Sequence, residues 1–298
     1  AGGRASVPLA GTAVYMTSYP RTAADRPWEQ YSAARPWLYQ TPRQILTKAS
    51  NGASDFGNKF GQPLICGSVL TFEHEGKADE PTYGFDKVIM LAGGVGYARR
   101  SDAQKGTPEP GEEVVLLGGD NYRIGMGGGA VSSVNTGQYA GAIELNAVQR
   151  SNPEMQKRVE NVIRTLSESE DNPIISIHDH GAGGHLNCLS ELVETTGGHF
   201  DLSAFPIGDE TLSSKEIIGN ESQERMGLLV KGDAVERIAR IAERERAPMY
   251  VVGRTTDDMH LTFEEAGGDK PIDLALSDMF GSAPKTYMVD KHIDKTYP

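Results

Sequence analysis

Cysteine is scarce in this chain: only Cys66 and Cys188 occur among 298 residues. Two thiols cannot build the multi-bridge framework of small secreted folds, which excludes that class. Cys66 lies in the apolar run Leu64-Ile65-Cys66 and Cys188 on the apolar side of a predicted helix, so both read as core packing rather than as reactive thiols. Long apolar runs are missing too. No stretch of about 18 apolar residues exists, so no membrane-spanning helix is predicted. The first residues, Ala1-Gly2-Gly3-Arg4, offer neither an initiator methionine nor a signal-like segment. The expectation is a cytoplasmic protein trimmed at its N-terminus. Positive charge is in short supply, with 29 Lys and Arg against 41 Asp and Glu and a formal net charge of -12. Phosphate backbones and anionic bilayers repel such a chain, so neither nucleic acid nor membrane is expected as a partner.

Several catalytic signatures are absent as well. The seven histidines contain no His-Glu-x-x-His pair, and no Gly-x-Ser-x-Gly elbow marks a serine hydrolase. The glycine-rich run at 124–130 is not followed by Lys and Ser or Thr, so it is not a P-loop. It can still offer backbone N–H groups to an anion, or simply pack closely. No repeat of roughly 20 to 50 residues is visible.

What is present is the patterning of an α/β chain, long enough for one large or two medium domains. Residues 12–19 and 87–92 read as strands, and Thr41-Pro42 opens a helix that carries Ile45, Leu46 and Ala49 on one face. Residues 104–111 hold two prolines, two glycines and no large apolar side chain, which is linker chemistry. The domains are therefore expected at 1–104 and 105–298. Beyond the linker, strands and helices alternate. Glu113–Leu117 reads as a buried strand, and Asn152-Pro153-Glu154 opens a helix with Met155, Val159, Val162, Ile163 and Leu166 at helical spacing. Residues 174–177 form a short strand running into His178-Asp179-His180 and a glycine loop. A helix with Leu186, Leu189 and Val193 inward follows, ended by Gly197-Gly198. Met226–Val230, a helix with Val235, Ile238 and Ile241, and residues 249–252 complete a strand, helix, strand unit. The fold class is α/β (α+β), with layered sheets and helices.

Three oxygen-bearing side chains point toward a hard cation. Glu216 and Asn220 are four residues apart and share one face of a predicted helix, while Asp179 sits at a strand end beside a glycine loop, where α/β proteins place ligand groups. Magnesium takes one or two carboxylates together with phosphate oxygens and water, so Asp179, Glu216 and Asn220 suffice if the fold brings them together. Another reading stays open. Ser213 with Glu216 three residues on is also a capping box, in which Glu216 serves only the helix start. Asp179 reads equally as a turn aspartate. His178 is a nucleotide contact or a satisfied polar group.

Five segments, in order, resemble the large, multidomain type of phosphoribosylformylglycinamidine synthase. They are Lys-Val-Ile-Met-Leu-Ala-Gly-Gly at 87–94, Gly-Met-Gly-Gly-Gly-Ala at 125–130, Val-Gln-Arg-Ser-Asn-Pro-Glu-Met at 148–155, His-Asp-His-Gly-Ala-Gly-Gly at 178–184 and Asn-Glu-Ser-Gln-Glu-Arg at 220–225. The resemblance runs from about residue 4 to the C-terminus. It implies a two-domain module like aminoimidazole ribonucleotide synthetase, present twice in the full enzyme, with this chain as most of the first copy. It implies an ATP-dependent ligase of purine biosynthesis that makes an amidine from formylglycinamide ribonucleotide, with glutamine as amido donor. By motif, Asp179, Glu216 and Asn220 correspond to magnesium ligands, His178 and Gly67, Ser68 and Val69 to nucleotide contacts, and Arg150 to a phosphate contact. Mg2+ and ATP or ADP are the implied cofactors. A second synthetase-like module and a glutaminase domain are the implied partners, and self-association through an unfinished sheet is expected. The chain departs from the family at Gly-Ser-Val, where Gly-Tyr-Phe is usual, and at Asp-His-Gly, where Asp-Val-Gly is common. No catalytic residue is assigned. Two functional readings remain, a catalytic ligase domain or a scaffold holding nucleotide structurally. Another ATP-using relative such as selenophosphate synthetase is disfavoured by the 220–225 run.

Overall fold

The computed structural model describes residues 6–23, 25–30, 33, 40–86, 89–102, 104–123, 125, 127, 131, 134, 138, 152–221, 224–290 and 292. Two sheets organise these residues. The first has three strands in the order β2-β1-β5. Its strand β1 (Val7–Thr17) pairs parallel with β2 (Leu64–Thr71) and antiparallel with β5 (Ile89–Tyr97). A minor hairpin, β3 (Glu73–His74) and β4 (Tyr83–Gly84), lies between β2 and β5 in sequence. Alternate residues Ala13, Tyr15 and Thr17 are buried, as the two-residue period of a strand requires. Helix α1 (Pro42–Phe60) packs against this sheet. Its start is a Thr-x-x-Gln box: the Thr41 hydroxyl accepts from Gln44 N while Gln44 Oε1 accepts from Thr41 N.

The faces of β2 and β5 are open. Ile65 is 66% exposed, Val69 56% and Val95 58%, and Cys66 is exposed rather than packed in a core. Reading the run Leu64-Ile65-Cys66 as core was therefore wrong. An apolar run shows that a strand favours burial, but not whether this chain supplies the covering layer.

The second sheet has seven strands in the order β12-β11-β8-β10-β6-β9-β7. They are β6 (Glu113–Leu117), β7 (Ile174–Asp179), β8 (Gly198–Asp201), β9 (Met226–Val230), β10 (Met249–Thr255), β11 (His260–Glu264) and β12 (Ile272–Ala275). Strand β6 is apolar on both faces because both are covered. Val114 and Leu116 face Cys188, Leu189 and Leu192 of α3 (Gly184–Leu192) and the short helix α4 (Ser214–Gly219). Val115 and Leu117 face α2 (Pro153–Ser167) and α5 (Val235–Glu245). Asn152 caps α2 by accepting from Met155 N at 3.1 Å, with Pro153 in the first turn, and Val159, Val162, Ile163 and Leu166 are buried as their spacing predicts. A terminal turn, α6 (Leu276–Met279), follows β12. The segment 104–111 is docked rather than free: Gly106 N donates to Ile175 O and Gly111 N to Thr255 O.

Candidate functional site

Strands β6 and β7 both run antiparallel to β9. The end of β6, the end of β7 and the start of β9 therefore share one edge of the sheet, and the described residues that follow β6 and β7 and that precede β9 meet there. Backbone bonds stitch them together. Glu221 N donates to Gly125 O at 3.1 Å and His180 N to Arg225 O at 3.3 Å. Gly183 N donates to the Glu221 carboxylate at 3.3 Å, so a protein carboxylate already occupies the anion position at the start of α3. Gly184 has φ +57°, and a Cβ placed on it would lie 2.2 Å from the Asn220 carbonyl oxygen. Only glycine allows the two loops to close this tightly. Gly125 and Gly127 also take positive φ; the rest of the expected anion nest at 124–130 lies outside the described residues.

Beneath the junction lies a buried polar network. Arg225 is fully buried. Its Nη2 donates to Asn220 O and to Asn220 Oδ1, both at 2.9 Å. Its Nη1 donates to Asn121 Oδ1 and lies 2.7 Å from His185 Nε2. His185 Nδ1 in turn sits 2.9 Å from His180 Nε2, and the His185 ring meets His180 and Phe205 edge-on, each with centroids 4.7 Å apart. Burial, then the charge of Arg225, holds both histidines well below the ordinary histidine range. Burial also lowers Arg225, against the pull of Glu224, but a guanidinium stays charged at neutral pH. Sequence reading missed Arg225, His185 and Asn121. The one available signal was a long cation placed directly before the fully apolar run of β9, with no route to solvent.

The sequence-assigned ligands fare unequally. Asp179 presents its carboxylate to solvent, its side chain 73% exposed. Glu216 forms the complete capping box with Ser213 and pairs through its other oxygen with Arg123. Bonds from Ser213, backbone first, hold its carboxyl below the usual range. Asn220 is buried, with Oδ1 against the Arg225 guanidinium and Nδ2 donating to Tyr122 O. The fold thus brings the Asp179 loop to the Asn220 segment but does not present Asp179, Glu216 and Asn220 as one open donor set. A cation competes poorly for an amide oxygen already facing a guanidinium, and i, i+4 spacing carries no information about such a neighbour. Among the described residues no three His, Cys, Asp or Glu side chains cluster as a metal site. His178 Nε2 pairs with Glu191, and its Nδ1 lies 3.7 Å from Asp179 Oδ1. Gly67, Ser68 and Val69 lie mid-strand in β2, opposite Ala13, Val14 and Tyr15, in the other sheet. Arg150 lies outside the described residues. No helix among the described residues is long and apolar enough to cross a membrane.

Fold and edge together define an α+β module with a covered seven-stranded sheet whose loops gather beyond three strand ends. Residues 109–265 match the family described as AIR synthase related protein, C-terminal domain, and the chain belongs to that family. It is similar to the probable phosphoribosylformylglycinamidine synthase, chloroplastic/mitochondrial, of Arabidopsis thaliana, at 40% identity over 297 residues, covering 95% of this chain and 21% of that protein. The chain thus spans about a fifth of that relative's length. Its fold is that of T. maritima PurL complexed with FGAR, with TM-score 0.70 and 22% identity, covering 99% of this chain and 42% of that one. T. maritima PurL complexed with ATP matches at TM-score 0.64 and 21% identity, covering 99% and 40%.

Proposed function

We propose that this chain is a segment of a phosphoribosylformylglycinamidine synthase, an ATP-dependent carbon–nitrogen ligase of purine biosynthesis with glutamine as amido donor. Its own part is to hold Mg-nucleotide at the loop edge of the seven-stranded sheet. The observation that carries this is the meeting of three loops beyond β6, β7 and β9, with the Asp179 carboxylate in solvent beside a glycine loop. The family relationship and the ATP complex of a structural neighbour support it. The exposed carboxylate of Asp179 favours a metal-bound ligand: it repels bare phosphates, and a divalent cation reverses that repulsion. Asp179 is the donor that fits magnesium as it stands. Glu216 fits once Arg123 is released from it. Asn220 serves as the floor of the site rather than as a ligand. Asp179 would hold the ion, which would supply positive charge to the nucleotide phosphates, while the chain's own groups position and orient.

The chain divides near residue 105 in this reading, and the remaining modules of the larger enzyme, including a second synthetase-like copy and a glutaminase, supply the missing groups. Turnover therefore belongs to the whole protein.

Calorimetric titration of Mg-ADP into wild type, Asp179→Asn and Glu216→Gln tests the assignment. Asp179→Asn removes a carboxylate facing a divalent ion and is expected to weaken binding by about 10- to 100-fold, the range typical even for groups one step removed from a metal. Glu216→Gln keeps the capping interaction and is expected to melt like wild type. Its affinity then separates the roles: a drop marks a ligand, no change a cap. Wild-type affinity in the Asp179 variant refutes the site.

A further inference from the structure

The donors in the buried network dictate where each proton sits. Arg225 Nη1 and Asn121 Nδ2 both approach His185 Nε2, at 2.7 and 3.2 Å. An arginine can only donate, so His185 Nε2 accepts. The one proton of the uncharged ring is then on Nδ1, and it donates across 2.9 Å to His180 Nε2. That places the His180 proton on its own Nδ1, which is buried with no hydrogen-bond partner among the described residues. The chain of bonds has one direction, from Arg225 through His185 to His180.

At its other end the same guanidinium grips Asn220 twice, at the carbonyl and at the side-chain oxygen. The Asn220 carbonyl is the atom that Gly184 closes against. Arg225 O also accepts from His180 N, so the residue touches both functional loops through backbone and side chain. Gly118 joins it on the third: a Cβ there would lie 2.9 Å from Arg225 Cγ. A point charge such as lysine could reach one of these acceptors but not span them.

We propose that Arg225 is the positioning residue of the loop edge, a buried fork that fixes the Asn220 carbonyl and, through His185 and His180, the turn that carries Asp179. This rests on the nucleotide reading for what the edge binds, but not for the positioning itself. Glu224 and Asp120 are the carboxylates, and Cys188 the thiol, that act on the guanidinium. None of them hydrogen-bonds its nitrogens, so its orientation is set by Asn121, Asn220 and His185.

Nitrogen NMR of the imidazoles in the intact chain at pH 7.5 provides the first test. His185 is expected to carry its proton on Nδ1, with Nε2 accepting from Arg225; a proton on His185 Nε2 overturns the proposal. Hydrogen exchange supplies the second, on Arg225→Lys and on the pair His185→Leu and His185→Gln. Arg225→Lys and His185→Leu are expected to speed exchange at the Gly184 and Glu221 amides by about tenfold or more, with Val115 in β6 unchanged. His185→Gln, which retains an acceptor toward Arg225, is expected to stay nearer wild type. If Arg225→Lys fails to fold, the histidine pair decides alone. Unchanged exchange at Gly184 and Glu221 in His185→Leu overturns the positioning role. Mg-ADP affinity is expected to fall about 10-fold or more with the loosened amides. If wild type does not bind Mg-ADP, the nucleotide reading fails, while the tautomers and exchange rates still judge Arg225.

Discussion

Replacing Gly184 with valine is expected to remove detectable Mg-nucleotide binding and to destabilise the fold by about 2–4 kcal/mol. Two costs combine. The backbone there has φ +57°, a region that a β-branched residue scarcely enters. The added Cβ would also stand 2.2 Å from the Asn220 carbonyl oxygen and 2.7 Å from its carbon. Backbone atoms held by Arg225 cannot yield as a flexible side-chain tip would, so the 178–184 loop must lift from the 220–225 segment. Gly181 offers the control. A Cβ there meets only Asp179 Oδ2 at 3.8 Å, so Gly181→Ala is expected to melt like wild type. Calorimetry and denaturant unfolding on the two variants check this. Equal behaviour of Gly184→Val and wild type would mean that the loops do not close as described.

Acid should unfold this chain earlier than its carboxylates alone would dictate. His180 and His185 are both held well below the ordinary histidine range by burial and then by Arg225. The unfolded chain takes up protons near the usual value of about 6.5, while the native chain resists. The unfolded state therefore binds more protons, and stability falls as pH drops below about 6.5. Each such histidine contributes a slope of about 1.4 kcal/mol per pH unit until the native ring itself protonates. Asp201, Asp209, Asp258 and Asp273, whose carboxyls are lowered chiefly by side-chain hydrogen bonds, add their loss only below about pH 4. The window from about pH 6.5 to 4.5 thus belongs to the histidines. Urea unfolding at pH 7.5, 6.0 and 5.0 is expected to show falling stability, and His185→Gln a shallower fall. Flat stability across that window would contradict the buried, uncharged pair.

Much of the fold could be read from the chain because its cues were local. Strands β6 and β9 are continuous apolar runs, and α2 carries its cap, its proline and its apolar spacing together. Strands β8, β11 and β12 were not identified, since runs such as Gly-His-Phe-Asp alternate polar and apolar residues over only four positions. Gly197-Gly198, read as a helix stop, in fact follows a helix that closes at Leu192, and Gly198 opens β8. The open faces of β2 and β5 depend on what else covers them, which no local pattern records.

The candidate site was legible only in its parts. Asp179 at a strand end and Ser213 with Glu216 as a capping box are both cues within a few residues, and both features are present. The contact of Gly184 with Asn220 is not, because it joins residues 36 apart through two crossovers and depends on strand order. The role of Arg225 stayed hidden for the same reason. Its partners Asn121, His185 and Asn220 come from the loop after β6, the first turn of α3 and the end of α4, and burial turned the amide of Asn220 inward, away from the cation that helical spacing alone would give it.

The most direct measurement locates the metal. Crystals of the protein grown with ADP and Mn2+ in place of Mg2+ give an anomalous signal at the ion. The account predicts one peak at the Asp179 carboxylate, beside the ADP phosphates and above the junction of the 178–184 and 220–225 loops. A peak elsewhere, for example in the cleft lined by Glu113, His199 and Asp201, or nucleotide bound with Asp179 facing away from it, would contradict the assignment.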